Sequence, residues 1–376
     1  MEWIALTFCA AMLLAHGLAT ALAVWRVSGV RRSRIDARPL PPVSIVRPVC
    51  GLDPLDELTL RSTFELVHRD IEILFCAQRA SDDAVPLVRR LIAEHRHVRA
   101  RLLIGDDGSS PNPKLNNVVK GWDGAQHPWV VIADSNVLMP PDYLDQLFFA
   151  LRPDTGLVCS PPVGSRPQGF WAEVECAFLN TYQARWQLAA DAVGFGFAQG
   201  KSMLWRRELL DTAGGIRALG VEIAEDAAAT KVVRGRGLRV RLVDRPFEQP
   251  LGRRPLRQVF DRQVRWARLR RATFQLYYAP ELLAGGVPTL SAAALAGPAL
   301  GLDSVTSAAL AGGLWYGAEL VLAKAAGWHL TRLSPLAWIA RDVALPFVWL
   351  KGWTGDGFTW RGNDMTVAEP APDTRG

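Results

Sequence analysis

The chain has 376 residues, 49% of them hydrophobic, 14 tryptophans and a formal net charge of +6. That length accommodates one sizeable α/β domain together with membrane segments. The five cysteines (Cys9, Cys50, Cys76, Cys159 and Cys176) form no C-x-x-C pair, which argues against a zinc ribbon or a disulfide framework and for a reducing, cytosolic setting.

Residues 1–27 read as an N-terminal transmembrane anchor. The run Trp3–Trp25 is apolar apart from Thr7, His16 and Thr20, and a helix rising ~1.5 Å per residue over that length crosses a ~30 Å hydrocarbon core. Ala21-Leu22-Ala23 resembles a signal-peptide cleavage site, but Glu2 stands where such a peptide carries positive charge. Arg26, Arg31, Arg32, Arg34 and Arg38 follow, which by the positive-inside rule hold the next domain in the cytosol. Residues 28–42 are a basic, proline-rich linker.

Residues 43–275 form the expected globular domain. Strands are predicted over Val43–Val49, Ile71–Ala77, Val98–Ile104, Trp129–Ala133, Leu157–Ser160 and Lys201–Trp205. Helices are predicted over Leu55–Glu65, Asp83–Glu94, Asp142–Leu151, Phe170–Leu188 and Arg207–Ala213, the last stopped by Gly214-Gly215. Alternation of this kind implies an α/β fold, a mainly parallel sheet with helices on both faces.

Residues 276–352 read as membrane-associated or interfacial helices. Of the apolar stretches Leu282–Leu302, Val305–Ala326 and Leu333–Leu350, the first is able to span. The other two carry Glu319, Lys324, Arg341 and Asp342, which are costly in lipid, so re-entrant or interfacial helices fit them equally well. Residues 353–376 are a polar tail, expected to be disordered after Met365.

Four features of the domain could carry chemistry. Asp82 and Asp83 lie beyond the strand Ile71–Ala77, where either could cap a helix. Lys114-Leu115-Asn116-Asn117 opens a helix. Asp134-Ser135-Asn136 ends a buried strand, where a carboxylate faces the crevice in which α/β folds bind ligands. Glu225-Asp226 starts another helix, where the helix dipole alone favours acids. Further on, Arg262, Arg265 and Trp266 share one helix face, and two guanidiniums beside an indole suit a diphosphate. Eight arginines lie between Arg253 and Arg271, most of them suited to anionic headgroups. Nothing resembles a nucleic-acid recognition module, so no nucleic acid is expected.

Several further motifs stand in one order: Arg47-Pro48 with Gly51-Leu52-Asp53-Pro54, Cys76-Ala77-Gln78 leading to Asp82, and Pro113–Asn117. Asp134-Ser135-Asn136, Gln168-Gly169-Phe170, Gly214-Gly215, Ala224-Glu225-Asp226 and Arg262-x-x-Arg265-Trp266 follow. Together they resemble the ceramide glucosyltransferase-like family, glycosyltransferase family 21, from about Val43 to Thr273. The resemblance implies a GT-A type nucleotide-sugar-binding fold and an inverting transfer of a hexose, glucose above galactose, from a UDP-sugar to a membrane lipid. The implied acceptor is ceramide, with diacylglycerol or a hopanoid as alternatives; a membrane-bound lipid- or nucleotide-binding protein without turnover is the rival of another class. The resemblance makes Asp226 the general base and places Asp82 on the uridine. Asp134 falls on the diphosphate and metal side, and Arg262, Arg265 and Trp266 close over the diphosphate. Lys114 and Asn117 complete the donor-binding set. The implied cofactor is Mg²⁺ or Mn²⁺ on Asp134 and Asn136, the latter standing where many related transferases place a second aspartate. The setting this implies is a bacterial inner membrane with the catalytic domain in the cytosol.

Overall fold

The computed structural model describes residues 1–29 and 40–367. Most of the expected linker, with Arg31, Arg32, Arg34 and Arg38, lies outside the described residues, as does the tail beyond Val367.

Six apolar runs form the expected strands: β1 (Val43–Pro48), β2 (Ile71–Ala77), β3 (Arg99–Ile104), β4 (Trp129–Ala133), β5 (Thr155–Cys159) and, after β6 (Val163–Gln168), β7 (Ser202–Arg206). Three strands of the globular domain escaped the sequence reading: β6, β8 (Arg239–Leu242) and β9 (Glu248–Arg253). The main sheet runs β3-β2-β1-β4-β7-β5-β8, with β7 antiparallel to both neighbours and the remaining pairs parallel. β6 and β9 pair separately as a parallel ribbon. β1 and β2 are buried along their whole length, as strands covered on both faces must be. One face packs on the helix Pro113–Gly124 through Trp122, Val118 and Val119, the other on Ala84–Glu94 and Tyr143–Phe149. The ends of β1, β2 and β4 open on one side, where the site is built.

The helix Phe170–Ala177 runs through a π-helical turn, Phe178–Ala184, into Arg185–Ala192. Asn180 in that turn receives the Gly164 N–H (2.7 Å) and returns a hydrogen bond to the Gly164 carbonyl (3.1 Å), locking the helix to β6.

Among the described residues two helices are long and apolar enough to cross a membrane, Glu2–Ser28 and Ser304–Ala326. They pack on each other and on the helix Gly286–Ala296. The stretch Leu282–Leu302, read as able to span, is bent: Gln275–Ala284 and Gly286–Leu300 meet at 50° and could cross as one bent pair. The stretch Val305–Ala326, doubted for its charges, forms one uninterrupted helix. Its Glu319 is fully buried and pairs at 2.8 Å with Arg341 of the helix Ser334–Trp353, while Arg341 also holds its neighbour Asp342 at 2.8 Å. Thr181 of the π-helical turn donates to Glu319 (2.6 Å). Three of the four charges that counted against the stretches, Glu319, Arg341 and Asp342, are thus matched against one another inside the helix cluster, while Lys324 is exposed.

Arg26, the first of the arginines that follow the apolar run, is engaged by the sheet domain. It pairs with Asp191 (2.7 Å) and Asp244 (3.0 Å) and donates to the Leu242 carbonyl (2.9 Å). It ties the N-terminal helix to the sheet domain. Of the expected polar tail, Gly357–Trp360 (β10) and Asn363–Thr366 (β11) pair as an antiparallel hairpin.

Candidate active site

Asp134 follows the last residue of β4, and both its carboxylate oxygens are taken. Lys114 Nζ lies 2.7 Å from Oδ1 and Lys201 Nζ 2.7 Å from Oδ2. Burial disfavours its ionisation, but the two ammoniums outweigh this and hold the carboxyl well below the usual carboxylate range. Lys201 also donates to Asn136 Oδ1 (3.1 Å); burial pushes its own pKa down to about 8 despite Asp134 beside it. Lys114 reaches Glu225 at 2.6 Å and the Gly200 carbonyl at 2.7 Å, and remains firmly protonated between two carboxylates that outweigh its burial.

Gly200 is the hinge of this frame. Its carbonyl receives Lys114, and its N–H donates to Asp226 Oδ2 (3.2 Å). A Cβ here would stand 2.7 Å from Glu225 Oε1 and 3.1 Å from Lys114 Nζ, so any side chain would have to displace the Glu225–Lys114 pair. Asp226 lies in the first turn of the helix Glu225–Gly235 and also accepts the Ala227 N–H (2.9 Å). Burial, and then the neighbouring Glu225 carboxylate, push its pKa up to about 6.

A pocket opens against this frame, with Cys50, Gln78, Lys114, Asn117, Asp134 and Asn136 in its wall. Asn117 donates to the Cys76 (2.8 Å) and Val49 (3.2 Å) carbonyls and so fastens together the ends of β1 and β2. Asp82 stands behind the wall: it accepts the Gly51 N–H (3.0 and 3.1 Å) and the Ala84 N–H (2.8 Å), shaping the Cys50–Gly51 loop and capping the next helix. Arg262 is paired with the buried Glu175 (2.6 Å) and lies 4.6 Å from the Trp266 ring centroid. Trp266 itself packs on Leu179 and Leu251. Burial, then the nearby Arg262 and Arg361 charges, lower Arg265 to about 10.

Asp134, Lys114, Asn136 and Asn117 are therefore brought together at the pocket, with Asp226 joined through Gly200. Arg262, Arg265 and Trp266 lie along the adjoining helix Leu256–Thr273. Sequence reading missed Lys201, Glu175, and Trp360 and Arg361 of the C-terminal hairpin, which also line the pocket. A lysine opening an apolar strand was a signal for the first; Glu175 left none.

A divalent cation at this strand end would take hard oxygens from Asp134 and Asn136. Among the described residues no three His, Cys, Asp or Glu side chains converge on one point. The two oxygens fit Mg²⁺ or Mn²⁺ as the partial shell that a diphosphate completes, and Lys201 now occupies them.

With this geometry established, comparison with known proteins is informative. The profile of glycosyl transferase family 21 matches residues 8–371. The chain belongs to that family. It is a sugar-transferring enzyme. Similar curated proteins include ceramide glucosyltransferase 1 of Caenorhabditis elegans, 27% identical over 96% of this chain and 78% of that protein. Ceramide glucosyltransferase 3 of the same organism is 28% identical over 88% and 73%. Among solved structures, the mannosyltransferase PcManGT from Pyrobaculum calidifontis, in complex with GDP-Man and Mn²⁺, aligns with a TM-score of 0.49 and 20% identity. That alignment covers 93% of this chain and 98% of the other.

Proposed function

We propose that this family 21 enzyme is an inverting, membrane-anchored transferase. It moves a hexose, glucose first, from a UDP-sugar to a membrane lipid hydroxyl, that of ceramide first. The single observation that supports this most is the frame on Gly200: the residue that holds the Lys114–Asp134 pair also holds Asp226. A donor and a proton acceptor are thereby referred to one rigid point, which is what positioning catalysis needs. The two relatives named ceramide glucosyltransferase support the acceptor class.

In this reading Asp226 receives the proton of the attacking hydroxyl. An acid held near pKa 6 by burial is ionised at neutral pH yet a stronger base than an ordinary aspartate. Lys114, Lys201, Arg265 and Arg262 surround the position where the leaving diphosphate gains charge. Asp82 keeps the Cys50–Gly51 loop in shape for the uridine, and Asn117 keeps β1 and β2 in register beneath it. A Mg²⁺ or Mn²⁺ ion held by Asp134 and Asn136 would add Lewis-acid stabilisation of the diphosphate. Attack from the face opposite the leaving group turns an α-linked donor into a β-glycoside.

The two apolar helices support seating the enzyme in a membrane, since a two-chain lipid does not leave its bilayer. The arginines after the first helix support a cytosolic catalytic domain, and the membrane of this reading is a bacterial inner membrane. The test is a product assay on purified protein in detergent, with labelled UDP-glucose or UDP-galactose, Mg²⁺ or Mn²⁺, and ceramide or diacylglycerol. Glucosylceramide alone is the expected product. Glycosyl-diacylglycerol would move the acceptor, and neither turnover nor UDP binding would sink the reading.

A further inference from the structure

We propose that Arg361, at the tip of the C-terminal hairpin, is a donor-binding residue whose guanidinium faces the diphosphate of the bound nucleotide, with Trp360 as the outer wall. This rests on the reading of the pocket as the nucleotide site. Trp360, Arg361 and Asn363 line that pocket although they lie more than 200 residues beyond Asp134 in the chain.

Trp360 pairs with Asn363, leaving Arg361-Gly362 as a two-residue turn. Both residues have positive φ, 51° and 79°, as a type I′ turn requires. Asparagine or glycine suits the first position of such a turn, and arginine does not. A local rule broken beside a pocket points to a role for the side chain that the turn itself does not need.

The hairpin is fastened where the pocket needs it. Arg268 donates to the Gly357 and Thr354 carbonyls, Arg271 pairs with Asp356, and the Arg265 guanidinium lies 5.9 Å from the Trp360 ring centroid. Arg361 is aimed by Asp53, whose Oδ2 lies 2.8 Å from Nη2. Nη1 stands over the Cys50–Gly51 loop, 3.7 Å from where a Cβ on Gly51 would be. Asp134, the carboxylate of the pocket wall, is already matched by two lysines. Asp53 is shared between Arg361 and Arg254 (3.7 Å), and Arg265 has no ion-pair partner among the described residues, so guanidinium charge is left at the mouth of the pocket for a ligand bearing two phosphates.

The test is calorimetric binding of UDP and of uridine to the full chain in detergent. Arg361→Asn installs the residue that the turn prefers, so the hairpin is expected to melt no lower than in the wild type. UDP binding is expected to weaken about tenfold, ~1.4 kcal/mol, with uridine binding unchanged, and Arg361→Lys is expected to recover part of the loss. A purely structural arginine predicts the reverse, unchanged UDP affinity in Arg361→Asn, and that result overturns the inference while leaving the nucleotide site standing. Equal losses for UDP and uridine overturn it as well. A wild-type chain that binds no UDP removes the nucleotide reading and this inference with it.

Discussion

Lys201 Nζ lies 2.7 Å from Asp134 Oδ2 and 3.1 Å from Asn136 Oδ1, on the same oxygens that a divalent cation would use. A lysine and a metal ion cannot both hold them. Lys201→Met leaves Asp134 paired with Lys114 alone. Mn²⁺ affinity, read by electron paramagnetic resonance titration, is expected to rise by roughly tenfold, about 1.4 kcal/mol. Unchanged affinity would mean that Lys201 does not compete for the site.

Asp226 is the group whose removal separates chemistry from binding. In Asp226→Asn the turnover is expected to fall by about 10²–10⁴, with the Kd for UDP essentially unchanged. Donor affinity lost in step with turnover would make Asp226 a binding residue.

The raised pKa of Asp226 has two pH signatures. As a base it must be deprotonated, so kcat/KM is expected to rise with pH through about 6 and then level. For stability the sign is opposite. A carboxyl whose pKa is higher folded than unfolded favours the fold while protonated, and that contribution is lost as pH rises through about 6. Asp226→Asn is therefore expected to melt above the wild type at pH 8, and to lose that advantage below the ordinary aspartate range. A wild-type melting curve flat across this window would contradict the burial argument.

Glu175 is buried and is the carboxylate partner of Arg262. Removing one partner of such a pair leaves the other charge uncompensated. Glu175→Ala is expected to cost about 3–5 kcal/mol, measured as a loss of thermal stability in detergent. A loss of activity without destabilisation would instead assign Glu175 to the reaction.

Arg26→Ala strands Asp191, whose side chain is 1% exposed. A loss of several degrees in Tm is expected, measured by thermal melting in detergent. The double variant Arg26→Ala, Asp191→Asn is expected to recover stability, because it removes the orphaned charge. Failure to recover would mean that Asp191 matters for more than this pair.

The central sheet was legible because β1, β2 and β4 are buried on both faces and so read as short, β-branched apolar runs. β8 was not, since Arg239 and Arg241 alternate with its two buried residues, and β9 contains Pro250. Asp134 was legible from its place after a strand, and Glu225-Asp226 from its place at a helix start. Their shared frame was not, because its members, Lys114, Asp134, Gly200 and Glu225, come from distant parts of the chain. The hairpin was hidden by its turn: Arg-Gly lacks the Asn-Gly or Asp-Gly signature that marks such a turn in sequence. The charges of the apolar C-terminal region misled for a related reason. Glu319 and Arg341 pair across two helices, and hydropathy reads one segment at a time.

The pairing of Glu319 with Arg341 also bears on how the chain is made. Neither side chain can be left alone in hydrocarbon without a large cost, and each belongs to a different helix. For a chain inserting into a bilayer, the segment 304–326 gains its partner only after residue 341 has been synthesised. Glu319 therefore waits for its ion-pair partner until the helix Ser334–Trp353 has been made, and the sheet domain is complete before the C-terminal bundle receives its last charge.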